Sequence, residues 1–507
     1  MKIKKIIALA LAILTVASSF ASCADTDEGG DTTTVGETAA DAATEAETED
    51  PLKDNLPEDL NFGDDTITIL SREREGWTAG EIWVESQNGD IVNDAVYERN
   101  KVVEDRLGIN IENVQKTGDG ADEVIEEIRL AVSSKTGDYD MVAAASCAAS
   151  TASLTNIFAD LRSADYIDFE QPWWSQGYNE AIEYDGKQFS VTGPICLSTY
   201  RFAFVTLFNK QLFDNAVIEY PYAKVRDFKW TLDYQMSLVP LMAKDDGDGE
   251  KEIETDVYGF TTSDYISVDS YWSACDIKIL EKDLESGEYK YVLDVDKLYE
   301  VTDKILELFY GDEASTYIHE FQLHDLDQNE VRKMFSNGQA GMATMRLMEV
   351  EISDMRNMEN DYGVLPMPMY DENQQKYQTM LHDQFTVMCV PSTVVGDELD
   401  KMGAVLEAMA VEGARYITPA YYETALRYKH LSDPDSWEML TIISDGIYMD
   451  AGVIYTGALD GVHGKLRGVV GSENNSVSST YKSLKRTLSG KLKTLNKQLS
   501  EAGSTAE

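Results

Sequence analysis

The residues best suited to chemistry in this sequence are aromatic rings and carboxylates set in loops. Ser71-Arg72-Glu73-Arg74-Glu75-Gly76-Trp77 is followed by Glu81 and Trp83. Tyr271-Trp272, Arg346 and the pair Tyr421-Tyr422 supply further candidates. Aromatic rings cover apolar ligand faces, while carboxylates, amides and guanidinium groups bind hydroxyl edges. The combination suits a polyhydroxylated ligand, with Glu73, Trp77, Trp272, Arg346 and Tyr421 as its binding residues. The same residue types also serve packing (Trp77, Trp272) or an ordinary ion pair (Arg346). Trp173-Trp174 follows a proline and reads as packing between segments.

Other constellations fall short of a mechanism. Asp245-Asp246-Gly247-Asp248-Gly249 looks like part of a calcium loop. With Asp248 and Gly249 at the fifth and sixth positions, Asp246 takes the third. Lys244 and Thr255 then occupy the first and twelfth, where carboxylates are needed. The stretch reads as an acidic turn, with Asp246 and Asp248 as the residues a weak calcium site would use; no cofactor is expected. His319 and His324 are five apart, which on a helix separates them by about 140°, so both cannot face one ion. There is no P-loop, no GxSxG and no GxGxxG fingerprint. A secreted glycoside hydrolase is the rival reading, since it too uses tryptophans and carboxylates. It would need two carboxylates about 5 to 9.5 Å apart, and a chain with 91 acidic residues does not exclude such a pair.

Stepping outward, the elements that must position these residues alternate. Thr66 to Leu70 reads as a strand, Val92, Val96, Val103 and Leu107 recur at helical spacing, and Gly108 stops that helix. Ile109 to Ile111 is a second strand, Val124, Ile128 and Val132 mark a helix, and Tyr139 to Val142 a third strand. The pattern restarts with strands at Phe202 to Phe208 and Tyr258 to Thr261 and a long helix at Val295 to Phe309. Strands follow at Ala340 to Met345, Tyr362 to Leu365 and Phe385 to Val390, then helices at Leu399 to Ala414, Pro419 to Tyr428 and Pro434 to Ser444. Two α/β lobes result, each a mostly parallel sheet flanked by helices. Ligands of such sheets bind beyond the C-terminal strand ends, so the site belongs in the cleft between the lobes. Trp77 follows a strand of one lobe and Trp272 a strand of the other. Each ring is expected to stack on the ligand, and truncating either should weaken binding with little effect on unliganded stability.

The ends carry a different message. Lys2, Lys4 and Lys5 precede an apolar run from Ile6 to Val16 and the small residues before Cys23. This is a secretory signal over residues 1–22, and the step into Cys23 resembles a bacterial lipobox. Residues 23–56 form an acidic tether, for Ala24 to Asp50 hold no aromatic or basic residue and cannot bury a core. The net charge is -48, which argues against nucleic acid as a partner. Cys147, Cys196, Cys275 and Cys389 are widely spaced with no CxxC; two disulfides would allow three connectivities, and four separate buried thiols are the favoured reading. The basic tail from Lys482 to Lys497 has Leu484, Leu488, Leu492, Leu495 and Leu499 on one side, an amphipathic helix lying on a lobe.

An ordered set of steps resembles one family, the extracellular solute-binding proteins of carbohydrate-type ABC importers, the maltodextrin-binding-like group. Phe208-Asn209-Lys210-Gln211-Leu212-Phe213 is similar to its "FNK-x-LF" step. Trp230-Thr231, Tyr258-Gly259-Phe260, Phe335 to Met342 and Tyr362 to Pro368 resemble its later motifs, in family order. The resemblance implies a two-lobed periplasmic-binding-protein-like fold whose lobes exchange segments through hinge crossovers. Residues 57–193 with about 380–415 would form lobe one, and 194–379 with about 416–507 lobe two and the C-terminal helices. It implies capture of a sugar or oligosaccharide without turnover and delivery to ABC importer permease subunits. The chain would be extracytoplasmic, held at the outer face of the bacterial cell membrane by the lipid on Cys23.

Overall fold

A computed structural model describes residues 50–118, 120–249, 252–253, 255–320, 328–427 and 433–503. The signal segment, Cys23 and most of the expected tether lie outside the described residues, as does His324. The chain enters at Asp65–Glu73 (β1), whose Ile67, Ile69 and Leu70 are buried. Asp90 then caps the helix Ile91–Leu107, accepting from the backbone N–H groups of Val92 and Asn93. Gly108 ends that helix at φ 59°, a left-handed conformation that suits glycine. Ile109–Thr117 (β2) follows, then the helix Glu123–Ser134 and Met141–Ala145 (β3). β1 lies parallel to both β2 and β3.

The chain next crosses to a second sheet through Val191 to Ala203. Phe204–Asn209 (β4) is followed by the helix Leu232–Met242, capped by Thr231 as its sequence implies. Tyr258–Ser263 (β5), the small hairpin of Leu280–Lys282 (β6) and Tyr289–Tyr291 (β7), and the helix Val295–Tyr310 come next. Thr316–His319 (β8), Ala340–Arg346 (β9) and Tyr362–Leu365 (β10) complete the sheet, in the order β10-β4-β9-β5-β8. Thr386–Cys389 (β11) then returns to the first sheet, antiparallel to β3, giving the order β11-β3-β1-β2.

The second sheet corrects the expectation of a mostly parallel arrangement. β5 is parallel to β8 and β9, but β4 is antiparallel to β9 and β10. The reason is topological: β4 is entered from the crossing between the lobes, so its first residue, Phe204, pairs with Arg346 at the end of β9.

The two lobes are joined where segments run side by side. Val191 bridges Met388 and Ala203 bridges Leu381, both antiparallel. The Phe204 N–H donates to Met380 O, and the His382 N–H to Phe202 O, each at 3.0 Å. A third connection is helical, Asp397–Glu412 passing through the π-turn Gly413–Ile417 into Thr418–Arg427. At Gly413 a Cβ would lie 2.5 Å from the Pro194 carbonyl oxygen, so the helical connection presses directly on the first strand connection.

Both indole N–H groups of Trp173 and Trp174 donate to Glu407, at 3.1 and 2.9 Å, so this pair does pack between segments. The tail is the helix Val477–Glu501, with Leu484, Leu488, Leu495 and Leu499 buried. Asn496 fixes its register by bonding both the N–H and the carbonyl of Tyr289. Cys147, Cys196, Cys275 and Cys389 are free thiols. No described helix is long and apolar enough to cross a membrane.

Candidate functional site

The last residues of β1 turn sharply. The Thr78 hydroxyl donates to Arg72 O at 2.9 Å and accepts from the Arg74 N–H at 3.2 Å, while the Trp77 N–H donates to Arg74 O. Glu73 folds back into this turn, accepting from the Gly80 N–H at 2.9 Å and the Ser71 hydroxyl at 3.0 Å. Burial pushes its pKa up, partly offset by those bonds. Both carboxylate oxygens are thus engaged with the loop itself. Glu81 staples the same loop to the crossing, accepting from the Ser198 N–H at 2.9 Å and from the Thr386 hydroxyl.

The turn drives Trp77 inward, where 5% of it remains exposed. The guanidinium groups of Arg74 and Arg346 both lie over its ring, 3.7 and 4.3 Å from the centroid. Phe202 and His382 meet it edge-on at 5.3 and 5.0 Å. Its carbonyl accepts from Arg201 at 2.7 Å. Trp77 therefore ties the end of β1, the first crossing, the second crossing and the end of β9 into one cluster. In this arrangement it offers no free face to a ligand.

Arg346 ends β9 and is fully buried, donating to Glu349 at 2.8 Å. Glu349 also accepts from Arg332 at 2.7 Å. Arg346, read as a ligand-binding residue with an ordinary ion pair as the alternative, thus forms an interior ion pair. Tyr421 is equally buried, stacked on Tyr200 at 5.7 Å. Trp272 is buried and donates to the Thr302 hydroxyl at 3.3 Å. The structure brings Trp77 and Arg346 together but does not set Trp77 and Trp272 across a shared space.

Two cavities flank the crossings. The smaller, about 60 Å³, is lined by Trp272, Ser146, Asp269, Asp383 and His463 among others. That is room for little more than a few water molecules. The larger, about 790 Å³, is walled by Trp174, Tyr200, Tyr289, Tyr422 and Tyr448. Charged groups at its wall include Glu180, Lys278 and Lys282. Its volume lies in the range of small-molecule sites, roughly 300–1,000 Å³. Its wall includes Gly193, Leu381 and Ala414, one residue from each connection between the lobes. The two cavities share Leu381, Tyr448 and Met449 as a partition.

Around the smaller cavity lies a charged network that the sequence reading did not select. Arg467 donates to both oxygens of Asp269 and lies over the Tyr265 ring at 4.5 Å. His463 approaches Asp269 at 3.7 Å and bonds the Thr456 hydroxyl at 2.8 Å. Burial lowers the His382 pKa far below its ordinary value, and the charges of Arg346, Arg467, Arg74 and Arg72 add to that, so the ring is neutral. Asp383 is pushed up by burial. Arg72 and Arg74 lie in the same loop as the candidates Glu73 and Trp77. His382 and His463 are two of only five histidines, but nothing near them in sequence marks them as neighbours.

The acidic turn is exposed, with carboxylate oxygens of Asp245, Asp246 and Asp248 within 4.8 Å of one another. Asp245 accepts from the Gly247 N–H at 2.7 Å, and Asp256 caps the turn by accepting from the Asp246 N–H at 3.1 Å. Lys244 is held by backbone bonds to Val257, consistent with a hairpin turn built from its own side chains.

No protein-family model matches this chain, and no curated protein matches it either. Solved structures do share its fold. A sugar transporter from Rhizobium etli in an open conformation is 14% identical, with 86% of this chain and 99% of the other covered and a TM-score of 0.54. A cyclo/maltodextrin-binding protein complexed with maltotetraose is 12% identical over 88% of this chain and 99% of the other, with a TM-score of 0.52. An ABC substrate-binding protein from Listeria monocytogenes in complex with cycloalternan is 15% identical over 86% and 99%, with a TM-score of 0.50. At these identities the likeness establishes the two-lobed fold.

Proposed function

We propose that this chain captures an extracellular sugar or oligosaccharide between its lobes and hands it unchanged to the permease of an ABC importer. The observation that carries this reading is the cavity of about 790 Å³, bordered by all three connections between the lobes and walled by aromatic rings with charged groups beside them. Rings of that kind suit the faces of sugars, and the charged groups suit their hydroxyl edges. A site against the connections also senses any change in the angle between the lobes, which is how hinge proteins couple occupancy to shape. Proteins of the same fold hold maltotetraose and cycloalternan, which supports a saccharide as the cargo.

The finer parts of the proposal concern anchoring and movement. Lipid on Cys23 tethers the chain outside the membrane through the acidic residues that follow it; the tether ends before the expected residue 56, because Asp54 pairs with Arg106 and Leu56 is buried against the folded body. Residues 57–193 with about 380–415 move as one body against 194–379 with about 416–507. The test is calorimetry of the mature chain against monosaccharides and tetrasaccharides of glucose, xylose and mannose, with scattering to follow compaction and chromatography to recover the sugar. Stoichiometric binding, compaction and intact recovery support the reading. No binding by any sugar refutes it, and recovered cleavage products move the chain to a glycoside hydrolase.

A further inference from the structure

The terminal helix Val477–Glu501 runs against the charge of the rest of the chain. Six of the 43 basic residues fall between Lys482 and Lys497, and no carboxylate stands between Val477 and Ser500. The whole chain has 91 acidic residues and a net charge of -48. Helix geometry sorts the six. At about 100° per residue, Lys482, Arg486, Lys493 and Lys497 fall within an arc of about 60°, and Lys485 widens it to about 120°. The buried Leu484, Leu488, Leu495 and Leu499 centre about 160° away, against the body. All five cations of the stripe are exposed. Lys491 lies off it, on the side where its charge acts on Asp460. Among the described residues, ion pairing within the stripe is confined to Lys497 with Glu501 at 3.7 Å, and Lys485 lies over the Tyr481 ring at 5.8 Å.

The residues between these cations say what the stripe suits. Ser483, Thr487, Ser489, Gly490 and Thr494 offer no ring and no large apolar group. Protein interfaces centre on buried aromatic and apolar anchors and are poor in lysine. Single-stranded nucleic acid needs rings on which its bases stack. A row of point charges about 22 Å long from Lys482 to Lys497 matches a plane of fixed negative charge instead. Clusters of four to eight basic residues on an amphipathic helix have that relation to anionic lipid headgroups. The net charge does not outweigh the stripe, because at physiological salt charges are screened over about 8 Å and most of the acidic body lies farther from a surface that the helix touches. The leucines are already packed on the protein, so no apolar face remains to enter hydrocarbon.

We propose that this basic stripe rests on an anionic membrane surface, with the helix lying along the plane of the headgroup phosphates. Five charges without an inserted anchor make a weak and rapid contact, which acts on a chain already held nearby. The helix packs on the helices Val295–Tyr310 and Val462–Gly471 of lobe two. At its other end Lys187 of lobe one donates to the carbonyls of Ser500 and Ala502, at 3.2 and 2.7 Å. A surface contact along the helix therefore sets how both lobes face the membrane.

The test is co-sedimentation of the secreted chain bearing Cys23→Ala, so that no lipid of its own contributes. The vesicles are phosphatidylglycerol mixed with phosphatidylcholine, or phosphatidylcholine alone, at about 0.1 M salt. Partition onto the anionic vesicles should exceed that onto the neutral ones by about tenfold and vanish near 0.5 M salt. Lys482→Gln with Lys493→Gln should remove about tenfold of that preference, whereas Lys482→Arg with Lys493→Arg keeps it. Both positions are exposed, and an unchanged melting temperature confirms that the fold is intact. Equal partition onto both vesicle types, binding that survives high salt, or full binding by the glutamine pair overturns the inference. So does tighter binding to polyglutamate than to the anionic vesicles, which would assign the stripe to an acidic protein segment. Solute capture stands or falls separately from each of these results.

Discussion

Replacing Trp77 by alanine separates two roles that the sequence could not. As a ligand platform in an open cleft, the ring would contribute on the order of 1–3 kcal/mol to binding and little to the empty protein. In the structure it is buried under Arg74 and Arg346, with Phe202 and His382 at its edges. Truncating a buried tryptophan costs about 3–5 kcal/mol from lost transfer energy and the space left behind. The two cation–π contacts place Trp77 toward the upper end, at about 0.5–2 kcal/mol each in partly desolvated sites. Unfolding entropy near 2.1 cal/mol/K per residue means that a chain of this size loses about 1 °C per kcal/mol. The expected loss in the empty protein is therefore about 3–5 °C if it unfolds as a unit. Differential scanning calorimetry without ligand measures this directly. Trp77→Phe should recover about half of it, since a smaller ring still fills part of the space. An empty-protein melting temperature within about 1 °C of the parent, with weakened sugar binding, would refute the buried-clasp account and restore the platform.

Three other outcomes follow from single sites. The Glu407 pKa is pushed up to about 8, chiefly by burial and against its indole hydrogen bonds; a raised carboxyl pKa stabilises the folded state below the unfolded value and loses that contribution as pH rises through the folded one. Melting curves of Glu407→Gln should therefore gain on the parent between about pH 5 and pH 8, and an unchanged difference across that window would refute the assignment. Gly413→Ala places a methyl 2.5 Å from the Pro194 carbonyl oxygen; it should lower the melting temperature and alter ligand-induced compaction in solution scattering, whereas an unchanged profile would show that this contact does not constrain the hinge. Cys23→Ala should release the chain from the membrane fraction, and retention there would remove lipid anchoring.

The alternation of strands and helices in the first lobe was legible because each element carries its own signal. Gly108 stops a helix whose Val96, Val103 and Leu107 face inward, and Thr231 caps the helix it precedes. Direction within the second sheet was not legible, because β4 looks like any buried strand. Its antiparallel pairing depends on where the chain comes from rather than on its residues. The charged network escaped for a similar reason. Asp269 and Arg467 are paired across 198 positions, and the charges of Arg72, Arg346 and Arg467 reach His382 only after four segments fold together. Residue type and position after a strand did locate Trp77 and Arg346 at the meeting of the lobes. They could not say whether the protein or the ligand would cover them.

That ambiguity has a physical consequence for binding. A ring and a guanidinium that recognise a sugar also recognise each other, so residues suited to the ligand can pair with one another instead. Trp77 with Arg346 makes such a contact, linking one lobe to the other. Any ligand that uses either residue must compete with that contact, and its apparent affinity falls by the cost of breaking it. A ligand that enters beside the clasp, from the larger cavity across Leu381 and Tyr448, keeps the contact and adds to it. The two routes predict opposite effects of removing the clasp. If the ligand displaces Trp77, Trp77→Ala lowers empty-state stability but tightens binding; if it enters beside Trp77, the same substitution weakens both. Measuring affinity and unliganded melting on the one variant distinguishes the routes, and independence of affinity from Trp77 would place the ligand wholly within the larger cavity.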